Sequence, residues 1–127
     1  MIGLTDKEIK FIGFITQNEL EYWYKLAKIF VSIPLSDATS ISLLEAMSFG
    51  CYPILSNIPA NLELVINNIN GKINENHQSL TLDMQQAIKQ FDNKEEITPI
   101  IEQNYNIIKK FGNNKTNSQQ FIQLFND

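Results

Sequence analysis

Short runs that are almost wholly apolar, separated by stretches with helical spacing, are the feature that most narrows the folds open to this chain. Phe11, Ile12, Gly13, Phe14 and Ile15 form the first run, residues 29–33 the second and Pro53, Ile54 and Leu55 the third. Residues 72–74 read as a short last strand. A strand that is apolar on both sides needs cover on both faces, which a parallel sheet between two helical layers supplies. The helical stretches fit that plan. Thr16 with Glu19 three residues on has the capping-box pattern, and Leu20, Trp23, Tyr24 and Ala27 follow at helical spacing. A second helix carries Ile41, Leu44, Ala46 and Met47 to the terminating Gly50. The expectation is an α/β fold with a parallel sheet of about four strands, helices on both faces and carboxyl-terminal helices.

The rest of the chain is assigned more coarsely. Asn57 to Ala60 read as a turn, residues 62–66 as a short helix and residues 67–71 as turn chemistry. Helices are expected over 80–91, over about 94–111 with a break before Pro99, and over 118–125. The excess of Asn, Ile and Lys is read as genome composition.

Charge and cysteine usage exclude several functions. Net charge is −4, every basic residue is a lysine, and only Lys109 and Lys110 are adjacent, so no basic footprint for nucleic acid exists. Cys51 is the only cysteine and is read as a small buried hydrophobe; His77, the only histidine, stands in an Asn-rich stretch read as surface loop. No multi-cysteine metal site is available, and no protein-bound metal is expected. A receiver-like signalling domain needs an acidic pair after its first strand, where Thr16, Gln17 and Asn18 stand instead. No apolar stretch is long enough to span a bilayer and no secretory signal is read at the start, so a cytoplasmic location is expected.

Ligands of open parallel sheets bind where the carboxyl ends of strands meet loops and helix amino termini. Residues 36–40 occupy such a loop, and the amides opening the helix that follows suit an anion such as a diphosphate. Asp37 and Glu45 flank that helix start, and carboxylates accept hydrogen bonds from vicinal hydroxyls. On the residues alone two roles stand side by side. The acids hold a sugar and a ribose, or Asp37 is a loop or N-cap acid and Glu45 the capping-box partner of Ser42.

The run from Ser32 through Asp37, Glu45, Ala46, Met47, Gly50 and Pro53 resembles the signature region of retaining glycosyltransferases of the B-type fold, the group 1, family 4-like enzymes. An acid, seven residues, Glu, Ala-Met and Gly-x-Pro come in that order. The resemblance extends from about Lys10 to Ile73, through Tyr24, Ala27, Ile58, Pro59, Glu63, Asn70 and Gly71. It implies a Rossmann-like donor domain over residues 1–112, truncated relative to the family, with a linker and carboxyl-terminal helix over 113–127. It further implies that Asp37 lies beside the donor sugar and Glu45 holds the nucleotide ribose. Ala38, Thr39, Ser40 and Ile41 would offer amides to the diphosphate, and Ser36 and Pro34 would shape the pocket. Glu63 matches a position often acidic in the family and is read as anchoring the neighbouring turn.

The implied reaction is retaining transfer of a sugar from a UDP- or GDP-sugar to an acceptor, with no cofactor, as in polysaccharide biosynthesis. Asp37 replaces the commoner Glu, and Ala38 and Thr39 stand where Gly and an aromatic are usual, which implies an altered sugar preference. The resemblance implies an amino-terminal acceptor domain and two further strands of the donor sheet beyond the motifs seen in this sequence. The expected consequences are little activity alone, pairing of strand 11–15 with strand 29–33 through a right-handed helical crossover, a non-catalytic nucleotide-binding or interaction module that needs a partner chain as the alternative function, and a homodimer through the edge of strand 11–15. A full-length enzyme would place the domain at the inner face of the membrane.

Overall fold

A computed structural model describes residues 9–36, 40–75 and 79–114. Its centre is a parallel sheet of three strands: β1 (Ile29–Ser32), β2 (Tyr52–Ser56) and β3 (Lys72–Asn74), in the order β1-β2-β3. Ile29 pairs with Tyr52 and Ser32 with Leu55, while Ile54 pairs with Lys72 and Ser56 with Asn74. Alternation across the pleat sends Tyr52 and Ile54 to one face and Leu55 and Ile73 to the other. On the first face they pack with Ala87 and Ile97. On the second they join Leu43, Leu44, Met47, Leu64, Val65 and Ile108. All five residues of β2 are buried, as a central strand covered on both faces requires.

The helices follow from local chemistry. In α1 (Gln17–Leu26) the Thr16 hydroxyl accepts from the Glu19 amide at 3.2 Å, as expected, but Tyr24 is the helix's one buried residue. Tyr24 stacks on Phe49 at 6.0 Å and joins a small cluster with Ala46 and Cys51. The helix α2 (Ile41–Ser48) buries five consecutive residues, Leu43 to Met47, between the sheet and its neighbours. Gly50 follows at φ +89, and a Cβ there would come within 3.0 Å of the Tyr105 hydroxyl.

Four expectations are corrected. Residues 11–15 form no strand: Phe11 is 95% and Phe14 109% exposed, so the sheet has three strands rather than about four. The expected pairing of that segment with β1 is likewise absent, and β1 is itself an edge of the sheet. The short helix α3 is Pro59–Leu62, earlier than expected, because Pro59 sits at the first helical turn, where its missing N–H costs nothing. Lastly, α5 (Lys94–Asn114) runs without a break through Pro99, held on its buried side by Ile97, Ile100 and Ile101. It passes two residues into the segment expected as linker; the expected helix at 118–125, and His77, lie outside the described residues.

Remaining elements agree with the sequence reading. The helix α4 (Leu80–Asp92) covers the face with Tyr52 and Ile54. The 67–71 turn contains Asn68 at φ 66. Gly71 is required by close approach, since a Cβ there would lie 2.8 Å from both Pro53 Cγ and Val65 Cγ1.

Asparagine is the structural polar residue of this core. Asn61 donates to the Ser56 carbonyl at 2.9 Å. Asn70 accepts from the Ile66 amide at 2.7 Å and donates to the Leu64 carbonyl at 2.8 Å and to Asn104 Oδ1 at 3.0 Å. Asn104 donates back to the Asn70 carbonyl at 3.0 Å. This reciprocal pair fastens the 67–71 turn to α5, a role that composition alone concealed.

Candidate functional site

The loop leaving β1 starts at the carboxyl end of the sheet, because Ser32 is the register partner of Leu55 near the end of β2. Pro34 is half-buried and Leu35 and Ser36 are exposed on that rim. Asp37, Ala38 and Thr39 lie outside the described residues. The chain reappears at Ser40, whose extended backbone caps α2 and whose hydroxyl accepts from the Leu43 amide at 3.3 Å. The chain's own cap therefore takes one donor of the first turn. The amides of Ile41 and Ser42 belong to the same turn and have no intrahelical acceptor by geometry. Ile41 itself is 55% exposed.

Glu45, one turn on from Ile41, projects from the same side of α2. It is 7% exposed, and its Oε1 accepts from Gln17 Nε2 at 3.3 Å. Burial raises its pKa above the usual carboxylate range; the Gln17 hydrogen bond opposes the shift and the Glu21 charge adds to it. With Ser40 as N-cap, the third helical residue is Leu43, so Glu45 is not the capping-box partner of Ser42. Ser42 is instead a neighbour of the Tyr24 phenol. The pKa of that phenol is raised chiefly by burial, with smaller contributions from Glu45 and Cys51.

The described site is therefore a seam between the amino end of α1 and the buried side of α2, where Gln17, Tyr24, Ser42 and Glu45 meet. Sequence reading identified Glu45 but missed Gln17, although its place directly after the Thr16 cap put a long amide at a helix start. Glu63 is exposed and caps the end of α3. Cys51 is 1% exposed, its thiol pushed up to about 11 by burial, which fits the expected packing role. Among the described residues no helix is long and apolar enough to cross a membrane.

A search of curated proteins gave no match to the chain. The model of the family described as glycosyl transferases group 1 matches residues 4–106, most of the 127 residues, and spans the sheet, the Ser36 to Ser40 loop and Glu45. The chain therefore belongs to the group 1 glycosyl transferases, whose chemistry is the transfer of glycosyl groups.

Proposed function

We propose that this chain binds the nucleoside diphosphate sugar donor of a retaining glycosyltransferase, with Asp37 beside the sugar and Glu45 on the ribose. The observation that carries the reading is the family match across the Asp37 to Glu45 segment, combined with a buried carboxylate on the helix that opens at the carboxyl rim of the sheet. Ser36, Ala38, Thr39, Ser40 and Ile41 are assigned to the diphosphate side of the donor. The Ile41 and Ser42 amides then face the diphosphate and stabilise charge on the leaving group. Glu45, desolvated in the free protein, gains two hydroxyl donors from a ribose, which offsets the cost of its burial. For the ribose to reach it, the 3.3 Å Gln17 hydrogen bond must give way. The donor is a UDP- or GDP-sugar, and no cofactor is invoked. The acceptor site comes from an amino-terminal acceptor domain, and the assembled enzyme works on polysaccharide at the cytoplasmic side of the membrane.

Calorimetric titration of UDP- and GDP-sugars into the wild type, Asp37→Ala, Glu45→Ala and the near-isosteric Glu45→Gln tests this. Each change should weaken binding by about tenfold or more, since each removes hydrogen bonds to a charged group. A wild type that binds none of these sugars ends the donor reading.

A second reading is favoured by the amino-terminal flank. The chain acts as a non-catalytic module completed by a partner, and self-association runs through the exposed Phe11 and Phe14 and the open edge of β1. Sedimentation at rising concentration should show dimers; a strictly monomeric profile removes this reading.

A further inference from the structure

Away from the carboxyl rim, a crevice of about 190 Å³ opens between α4 and the edge strand β3. Tyr52, Asp83 and Ala87 line it together with Lys72, Gln86 and Gln90. Tyr52 and Asp83 are each only 4% exposed, yet neither is fully partnered. Asp83 Oδ2 accepts from Asn74 Nδ2 at 2.9 Å. Among the described residues, the other Asp83 oxygen and the Tyr52 hydroxyl take no hydrogen bond from the protein. Neither atom is sealed from solvent, and both residues line the crevice. Two polar side chains this deeply buried take their remaining partners from whatever enters the crevice, water or a polar ligand.

We propose that this crevice binds one neutral, polyhydroxylated ring of hexose size, at a site separate from the donor seam. Its volume holds about six waters, enough for a single pyranose and too little for a nucleotide. The lining matches such a ring. The Asp83 carboxylate accepts from hydroxyls, the Tyr52 phenol and the two glutamine amides both give and accept, and Lys72 donates from the rim. Ala87 and the Tyr52 ring provide an apolar floor for the C–H face of the sugar. A bare cation is disfavoured by the Lys72 ammonium on the same rim, and among the described residues no group of three metal-ligating side chains exists. The burial that raises the Tyr52 pKa, with the nearby Asp83 charge adding to it, keeps this phenol protonated and able to donate.

The test is titration of the ¹⁵N-labelled chain with methyl α-D-glucopyranoside and its galacto and manno epimers, followed by NMR. At least one glycoside should give saturable shifts at Asp83, Gln86 and Gln90 in the millimolar range. Asp83→Asn should weaken that binding about tenfold and Gln86→Ala about threefold. Should Asp83→Asn fail to fold, Gln86→Ala and Gln90→Ala on the α4 surface decide the matter. The proposal is overturned if no glycoside shifts these signals, if the variants leave binding unchanged, or if ethylammonium or inorganic phosphate saturates the crevice while glycosides do not. The readout needs no nucleotide, so its failure and the failure of donor binding are seen separately.

Discussion

Two five-residue segments of this chain have comparable apolar content and opposite fates. Tyr52–Ser56 is buried at every position, flanked by β1 and β3 and covered on both faces. Residues 11–15, with two phenylalanines and two isoleucines, pair with no strand among the described residues and leave Phe11 and Phe14 fully in solvent. The difference lies in the neighbours. The central strand has a helix-covered partner on each side, whereas the amino-terminal flank reaches the core through Leu20, Tyr24 and half-buried β1. Apolar content states what a segment needs, and the surrounding elements determine whether it gets it.

The largest effect separating the two regions belongs to Leu55, at 0% exposure in the main core. Leu55→Ala should cost about 3–5 kcal/mol in urea unfolding, through lost transfer energy and the cavity left behind. Gly71→Ala should follow at about 1–3 kcal/mol, because its methyl group meets Pro53 and Val65 at distances no Cβ tolerates. A loss below 0.5 kcal/mol would mean that β2 and β3 are less tightly joined than drawn.

Glu45→Gln probes the seam where the two regions meet. Its raised pKa means that the folded state holds the proton more tightly than the unfolded chain. The carboxyl group's favourable contribution is therefore complete below the ordinary carboxylate range and is lost as pH rises through the folded pKa. The glutamine variant should be more stable than wild type above that window and should lack this pH dependence; equal slopes in both proteins would show that Glu45 is not desolvated. The smallest effect is expected from Phe14→Ser, within about 0.5 kcal/mol of wild type, because the ring touches little that folding buries. A larger loss would place residues 11–15 in the core after all.

The legible parts of the fold were those decided by nearby residues. Thr16 and Glu19 announced α1, the 72–74 strand was placed residue for residue, and Gly71 was assigned to its turn. Residues 11–15 misled because a strand is completed by partners distant in sequence. Pro99 misled because the packing of Ile97, Ile100 and Ile101 outweighs one missing hydrogen bond on an exposed helix face. Pro59 was the opposite case, a helix signal taken for a turn. Of the proposed site, Glu45 was singled out by its place near the start of α2 and by the family resemblance. Gln17 escaped notice because its partner stands 28 residues away. The Asn70 and Asn104 pair, 34 residues apart, was hidden in the same way.

The Cys51 sulfur sits where α1 meets the sheet, donating to the Tyr24 carbonyl at 3.4 Å and the Ala27 carbonyl at 3.5 Å. A thiol held near 11 is almost entirely protonated at neutral pH, and only the thiolate is attacked by alkylating reagents. The native molecule should thus be silent toward iodoacetamide until α1 lifts, so the rate of labelling would time that excursion directly. The chain carries its own stopwatch for the breathing of its first helix.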